Sequence, residues 1–313
     1  MRLVFMGSPE LAVPSLQGLM GTGYEVALVV TQPDRPSGRG LKLAPSPVAL
    51  AASKLRLNIA KPHKALEVVE QLAALKPDFM VVVAFGQILP EAVLRVAPAI
   101  NLHTSLLPFL RGAAPINRAI MAGQELTGVS TMLMDKGLDT GPILLQQKIK
   151  IAPDDTALSL GQRMSALGPM MLIETLEGLK KGEIALKPQN EQQASYAARL
   201  NKQEGLLDWR QSAEALDCQV RGLYPWPGTY VSVGEGSKLK LFPPTRLLTD
   251  NYHCPPGSIL NYRVSLPASV EDMLVVACGL GALALGAAQM PGKKVLPGAE
   301  LARWLLDQGI ESL

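Results

Sequence analysis

The sequence predicts an α/β protein: a doubly wound, mostly parallel sheet of the Rossmann-like type, followed by a small antiparallel β-barrel. Two observations predict it. Through the first part of the chain, apolar runs of strand length alternate with helical patterns, the rhythm of a parallel sheet covered by helices. After a polar stretch the rhythm changes to short strands punctuated by Pro and Gly. With 313 residues, 48% of them hydrophobic, the chain has the length of about two domains of roughly 100–200 residues each and ample material for their cores. The expected boundaries are 1–186 for the first domain, 187–206 for a linker and 207–313 for the second.

Strand-like runs at 3–6, 26–31, 79–84, 99–103 and 129–134 alternate with helical patterns near 11–20, 47–54, 65–75 and 115–122. The first turn, Gly7-Ser8-Pro9, lacks the Gly-x-Gly-x-x-Gly that brings a pyrophosphate close to the backbone, which argues against a dinucleotide cofactor. Residues 32–46 hold three cations, Arg35, Arg39 and Lys42, among prolines and the glycines Gly38 and Gly40, so a long exposed loop without regular structure is expected. Such loops are usually functional or disordered, and a plain solvated loop is the alternative. Residues 135–142, Asp-Lys-Gly-Leu-Asp-Thr-Gly-Pro, form a glycine-punctuated loop that can carry Asp139 to the same end of the sheet as His103. From 156 to 181 the residues Leu160, Met164, Leu167, Met171 and Leu176 recur at helical spacing after a cap at Asp155 or Thr156, with Pro169 expected to kink or split the helix.

Residues 187–205 are polar and weakly patterned and read as a linker. Beyond them short strands are expected near 229–233, 239–247, 257–262, 273–277 and 282–287, with a closing helix over 298–308. Five short strands fit an OB-like barrel, the common five-stranded type.

A net charge of +3 and a pI near 8.7 permit an acidic partner such as nucleic acid but equally suit an ordinary enzyme, so the placement of the charges has to decide. The three cysteines, Cys218, Cys254 and Cys278, are widely spaced without a Cys-x-x-Cys pair, and reduced thiols are expected. Residues 1–7 look like a first strand entering a turn rather than a signal peptide. No apolar run approaches the roughly 20 residues of a membrane span, so a cytoplasmic protein without a membrane partner is expected.

The chemistry concentrates at residues 101–118. Asn101 and His103 lie two apart at the end of a predicted buried strand, so both side chains share one face, at the end of the sheet where open α/β folds place their sites. An asparagine amide can donate to an oxygen that becomes negative in a tetrahedral intermediate. An imidazole can shuttle a proton, and a carboxylate such as Asp139 can orient it or collect a proton through water. Together they suit transfer of an acyl or formyl group between nitrogens. Each also has an ordinary structural role open to it: a histidine bonded to a nearby carbonyl, an asparagine capping a turn, an aspartate in a turn. His63 and His253 lie in Pro-rich stretches without patterned partners and are expected to be structural. Ser105 beside His103 lacks the Gly-x-Ser-x-Gly elbow, so a covalent mechanism is not expected.

The run Asn101-Leu102-His103-Thr104-Ser105-Leu106-Leu107-Pro108, followed by Arg111-Gly112, resembles the signature of folate-dependent formyltransferases and hydrolases. Gly137-Leu138-Asp139-Thr140-Gly141 resembles their second catalytic loop. Residues 111–119, the loop 32–40 and the C-terminal barrel resemble the branch of that family acting on methionine carried by initiator tRNA. The resemblance implies formyl transfer from 10-formyltetrahydrofolate to initiator methionyl-tRNA, without a metal; a monomer is expected. It places Asn101, His103 and Asp139 on catalytic positions. It places Ser105, Leu106, Leu107 and Pro108 on a tetrahydrofolate-contacting segment, and Phe85, Gly86, Gln87, Ile88 and Leu89 on a loop lining the pterin pocket. Arg39 matches an arginine of the tRNA-contacting loop, with Arg35 and Lys42 beside it, and the barrel is implied to hold tRNA. Two residues depart from the pattern: Leu41 stands where many members carry lysine, and Thr104 where a smaller residue is common.

Overall fold

The computed structural model describes residues 1–37, 42–233, 237–250 and 252–313. The chain divides into two compact units, Met1–Pro115 with Leu126–Lys150 and Gly161–Ala198, and Ile116–Glu125 with Ile151–Leu160 and Arg199–Leu313. In chain order the elements up to residue 198 are β1 (Arg2–Gly7), α1 (Val13–Met20), β2 (Glu25–Val30), β3 (Arg35–Ser37), β4 (Lys42–Ala44), α2 (Pro47–Lys54), β5 (Ile59–Ala60), α3 (Val69–Leu75), β6 (Phe79–Val83), α4 (Glu91–Leu94), β7 (Ala99–His103), β8 (Arg111–Gly112), α5 (Pro115–Met121), β9 (Leu126–Leu133), β10 (Ile143–Lys150), α6 (Ala157–Lys181) and β11 (Tyr196–Ala197).

Seven of these strands form one sheet in the order β10-β9-β7-β6-β1-β2-β5. The five strands from β5 to β7 run parallel, while β9 is antiparallel to β7 and β10 to β9. The chain leaves β1 toward β2 on one side and later returns to β6 on the other. A topological switch point therefore lies between β1 and β6, and ligands of open α/β sheets bind beyond the carboxyl ends of the strands there. Val4, Met6, Leu28, Val30, Met80 and Val82 pack one face against Leu72 and Val93. Leu3, Phe5, Val29 and Val81, which alternate with them, are buried as well. Burial on both faces explains why these strands read as unbroken apolar runs.

Pro169 does not split α6, which continues through it. The proline sits against Gly18 of α1, where an added Cβ would come within 2.4 Å of the Pro169 Cβ, so glycine there permits the close approach of the two helices. The loop expected at 32–46 is in part a short antiparallel hairpin, with Arg35 opposite Ala44 and Ser37 opposite Lys42. Pro36 is accommodated because a two-stranded ribbon has an outer edge that requires no donor. Gly38, Arg39, Gly40 and Leu41 lie outside the described residues.

The second unit contains α7 (Ala213–Leu223), β12 (Thr229–Val233), β13 (Ser237–Leu248), β14 (Leu274–Ala277), β15 (Ala282–Gln289), β16 (Leu296–Pro297) and α8 (Gly298–Asp307). Its strands make a curled antiparallel sheet in the order β12-β13-β15-β14, with β16 also on β15. The register of β13 against β15 slips between Phe242 and Thr245, across Pro243-Pro244, and a bulge of this kind bends the strand. Leu239, Leu241, Leu274, Val276, Leu283 and Leu285 pack against Leu216 and Val220 of α7 and Leu301 and Leu305 of α8.

The strand expected at 257–262 is reduced to isolated pairings of Ser258 with Ser312 and Ile259 with Val276. Asn261 supplies the reason. Main-chain bonds tie Gly257 and Ser258 to Ala277 and Leu260 to Val275. At Asn261 the side chain takes over, its amide donating to the Met273 carbonyl at 2.8 Å and its oxygen accepting from the Val275 N–H at 2.8 Å, so the main-chain pairing ends there. The fifth strand is β16. The cysteines are unbonded, and burial pushes the Cys218 thiol up and the Cys278 thiol up to about 11. Among the described residues no helix is long and apolar enough to cross a membrane.

Candidate active site

Asn101, His103 and Asp139 meet at the end of β7. Strand alternation points Asn101 and His103 to one face, and Leu102 between them packs against Gly168 of α6 on the other. Asp139 arrives on the loop between β9 and β10. That loop is braced from within by Asp135, whose carboxylate accepts from the Gly137 N–H at 2.9 Å and the Thr140 hydroxyl at 2.7 Å. Gly141 closes the loop where any Cβ would lie 1.9 Å from the Leu133 carbonyl oxygen. Asp139 itself takes φ +55, a left-handed conformation uncommon outside glycine.

Both oxygens of Asp139 are held. Oδ1 accepts from Asn101 Nδ2 at 3.1 Å and Oδ2 from the Gly112 N–H at 2.8 Å. His103 Nε2 lies 2.9 Å from the Leu110 carbonyl oxygen. A carbonyl can only accept, so Nε2 carries the hydrogen and Nδ1 is the nitrogen left to exchange a proton. Nδ1 faces Asp139 Oδ2 at 3.6 Å, beyond an ordinary hydrogen bond. Leu110, whose carbonyl sets the ring, is also left-handed at φ +57. Strained residues of this kind persist where the surrounding structure over-determines them. All three side chains are nearly closed to solvent, with His103 6% and Asp139 12% exposed. A directed amide, an imidazole with a defined tautomer and a fixed carboxylate can stabilise a developing oxyanion and relay a proton.

The segment Ser105–Pro108 continues from β7 and is tied down by Ser130 of β9. The Ser130 hydroxyl donates to the Ser105 carbonyl at 2.6 Å and accepts from the Leu107 N–H at 3.1 Å, while Gln146 Nε2 donates to the Leu107 carbonyl at 2.9 Å. The Ser105 hydroxyl donates to the Phe109 carbonyl, a structural use of the group. Ser105, Leu107 and Pro108 are buried, whereas Thr104 and Leu106 are half-buried.

Phe85–Leu89 follows β6, beside the switch point. Phe85 and Leu89 are buried and Ile88 is 81% exposed. Gly86 turns the chain at φ +81. The Phe85 carbonyl accepts from the Ser8 hydroxyl at 3.1 Å and from Gln32 Nε2 at 3.2 Å. The Gln87 side chain bonds to the Ala65 N–H and the Pro62 carbonyl, so it organises the neighbouring turn. Arg35 donates to Gln32 Oε1 at 2.9 Å, and Lys42 is exposed on the opposite strand of the hairpin. Arg39 lies outside the described residues. Among the described residues no group of three or more His, Cys, Asp or Glu is placed to hold a metal ion.

Residues 1–176 match the formyl transferase family model and residues 199–305 match the model of the formyl transferase C-terminal domain. The chain belongs to the formyl transferase family. Curated members of the family include methionyl-tRNA formyltransferases of Trichlorobacter lovleyi, 46% identical over 95% of this chain and 92% of that protein, and of Citrifermentans bemidjiense, 44% identical over 99% and 95%. Among solved structures of like fold is HypX from Aquifex aeolicus in complex with tetrahydrofolic acid, at TM-score 0.66 and 17% identity over 96% of this chain and 46% of that one. Methionyl-tRNA formyltransferase from Clostridium thermocellum follows the same fold at TM-score 0.58 and 16% identity over 80% and 95%.

Several polar side chains around this candidate site escape sequence reasoning. The Ser195 hydroxyl accepts from the Leu110 N–H at 2.9 Å, and the Ser195 carbonyl accepts from the Arg111 N–H at 2.8 Å. Ser130, Gln146, Gln189 and the side chain of Arg111 are the others. Their partners lie from 16 to 85 residues away in sequence, and no local pattern marks them.

Proposed function

We propose that this chain transfers the formyl group of 10-formyltetrahydrofolate to the amino group of methionine on initiator tRNA, supplying formylated initiator for translation. The observation that carries the reading is the convergence of Asn101, His103 and Asp139 at the carboxyl end of β7, in a chain 42–46% identical to methionyl-tRNA formyltransferases over nearly its whole length.

The methionyl amine attacks the formyl carbon, and a new C–N bond forms as the carbonyl pair moves onto oxygen. Asn101 Nδ2 and protonated His103 Nδ1 face that oxygen and stabilise its charge; a single donor in such a place is worth roughly 3–4 kcal/mol. Asp139 holds the protonation and orientation of His103 and helps remove the amine proton. The bond from the formyl carbon to the folate nitrogen then breaks, its electron pair staying on that nitrogen, which takes a proton and leaves. No acyl-enzyme is required. The main chain of Phe85–Leu89 lines the pterin site, and Ser105–Pro108 supplies the wall between pterin and formyl group.

Residues 1–186 act as the catalytic domain and 207–313 as an OB-like tRNA-binding domain across the segment 187–206, in a cytoplasmic monomer. Arg35, Arg39 and Lys42 meet the tRNA. The deciding experiment is formylation of charged initiator against charged elongator tRNA with 10-formyltetrahydrofolate, beside a nucleotide-linked amino sugar as acceptor. Preference for initiator tRNA is expected. Turnover of the sugar alone would overturn the choice of substrate while leaving the reaction in place.

A further inference from the structure

Arg111 is fully buried, an unusual place for a guanidinium, and its partners are all supplied by one short segment. Its Nη1 and Nη2 meet the two oxygens of Glu191 at 2.8 and 2.7 Å, and Nε donates to Gln189 Oε1 at 3.0 Å. The paired carboxylate of Glu191 pushes the Arg111 pKa up, and the guanidinium holds the Glu191 carboxyl below the usual range. Arginine can only donate, which fixes the orientation of the Gln189 amide without ambiguity. With its oxygen on Arg111, the two Nε2 hydrogens of Gln189 are directed at two carbonyls, that of Asp139 at 2.8 Å and that of Gly141 at 2.7 Å.

Those carbonyls belong to the loop that carries Asp139, so the loop is gripped from two sides. Asn101 and the Gly112 N–H hold the carboxylate, while Gln189 holds the main chain behind it. Gly112 directly follows Arg111, so one short strand both bonds the Asp139 carboxylate and orients the amide that holds the Asp139 carbonyl. The segment bearing Gln189 is itself anchored, since Lys187 and Ile143 exchange both main-chain hydrogen bonds at 2.9 and 2.8 Å. The left-handed Asp139 needs such a grip: with its carbonyl released, the residue can relax toward ordinary φ and swing the carboxylate away from His103.

We propose that Gln189, clamped by Arg111, is a positioning residue for formyl transfer: its amide fixes the Asp139–Gly141 main chain so that the Asp139 carboxylate stays in register with Asn101 and His103. This rests on the reading that Asp139 takes part in the reaction. Gln189→Glu is the informative variant, because it keeps the shape and the Arg111 contact but replaces the donor facing both carbonyls with an acceptor. Gln189→Met keeps the volume and removes all hydrogen bonding.

The test uses the full-length enzyme with 10-formyltetrahydrofolate and charged initiator tRNA, comparing both variants, Asp139→Ala and the double variant Gln189→Glu with Asp139→Ala. Misplacement of a reacting group by about 1 Å can cost about 100-fold, so kcat is expected to fall about 10- to 100-fold while KM for either substrate moves by less than about three-fold. The double variant should be no slower than Asp139→Ala alone, because Gln189 acts only through Asp139. Hydrogen exchange over residues 135–142 should quicken in both Gln189 variants, and that measurement decides the matter for a variant too unstable for kinetics. Faster exchange with unchanged kcat, unchanged exchange, or multiplicative losses in the double variant would each overturn the positioning role. Full activity of Asp139→Ala would instead overturn the reading of Asp139, a result that the single Gln189 variants cannot imitate.

Discussion

Asp139 and Asp217 are both nearly buried aspartates facing a basic side chain, yet they are wired differently. Asp217 lies on α7 in the second unit, where Oδ2 accepts from Arg221 Nε at 2.8 Å and Nη2 at 2.6 Å, and Oδ1 accepts from the Thr245 hydroxyl. Arg221 in turn donates to the Asp155 carbonyl at 2.9 Å. The pair is closed by short bonds on each side. Asp139 has bonds to Asn101 and Gly112, but the nearest basic side chain, at His103 Nδ1, stands 3.6 Å away. Arginine keeps its charge at any pH a protein survives, whereas imidazole changes charge near neutrality. A saturated buried pair holds a fold together; a fixed carboxylate next to an unsaturated imidazole can do chemistry.

The same substitution at the two sites should therefore separate stability from turnover. Asp217→Asn leaves a buried guanidinium without its counter-charge, and breaking such a pair costs about 3–5 kcal/mol. It should lower the denaturant midpoint sharply while the folded fraction keeps its kcat. Asp139→Asn should do the reverse, lowering kcat by about 10²- to 10⁴-fold, the range for a lost acid–base function, with little change in the unfolding midpoint. Asn101→Ala should fall within about 10²- to 10³-fold, as expected for one oxyanion donor. A loss of kcat in folded Asp217→Asn comparable to that of Asp139→Asn would dissolve the contrast. Thr245→Val sharpens it at smaller amplitude: it leaves Asp217 Oδ1 without its hydroxyl donor, at a cost of about 1–3 kcal/mol and no change in kcat.

The contrast is only half legible in the sequence. Asn101 and His103 announce themselves because a two-residue spacing at the end of an apolar run forces both onto one face. Asp139 is marked by glycines at 137 and 141, and the space around Gly141 admits nothing larger. Asp217, Arg221 and Thr245 look like ordinary surface residues of a helix and a strand, because their burial depends on how α7 packs against β13, a long-range event. Arg111 and Gln189 are 78 residues apart, and Gln189 sits in a stretch whose polar composition suggests a linker. Local patterning also carries a strand through to 262, because it has no means of seeing that the Asn261 side chain will end the main-chain pairing of 257–260 with 275–277. Four strands of the parallel sheet, β1, β2, β6 and β7, are visible by contrast because burial on both faces leaves its mark on their residues, whereas β5 is two half-buried residues at the sheet edge and carries no apolar run to read.

The basic hairpin offers a third kind of charge, exposed to solvent at Arg35 and Lys42. Arg35→Ala and Lys42→Ala should each weaken tRNA binding and reduce the slope of log affinity against log salt by about one unit for each phosphate no longer neutralised. Formylation at saturating tRNA should be unchanged in Lys42→Ala, whereas Arg35→Ala also frees Gln32, which donates to the Phe85 carbonyl, and should raise the KM for folate modestly. Arg39→Ala distinguishes two ways of reading the stem. A phosphate contact lowers affinity alike for initiator and elongator tRNA, whereas a base-edge contact costs about 1–3 kcal/mol more on initiator. Equal losses on the two tRNAs would reduce Arg39 to a phosphate clamp, and no loss would make the hairpin an ordinary solvated element.

The smallest effect belongs to an aspartate whose pairing is as short as that of Asp217 but which is half-exposed to solvent. Asp208 accepts from Arg210 Nε at 2.8 Å and Nη2 at 2.7 Å, with the arginine side chain 84% exposed. The Arg210 side-chain hydrogen bonds, then the Arg210 N–H, pull the Asp208 carboxyl down from 3.8 to about 2. A carboxyl lowered on folding contributes stability above its unfolded pKa and loses it as the folded pKa is approached, so the contribution of this pair should be present above about pH 4 and fade toward pH 2. Solvent screens it, so Asp208→Asn should shift the neutral-pH midpoint by far less than Asp217→Asn despite equally short bonds. The check is the difference in midpoint between wild type and Asp208→Asn from pH 7 to pH 2 at low and high salt. A small difference that shrinks with salt and with acid places the energetic weight on burial. A difference as large as that of Asp217→Asn would place it on bond geometry, and the distinction between the two buried aspartates would then have to rest on the identity of the cation alone.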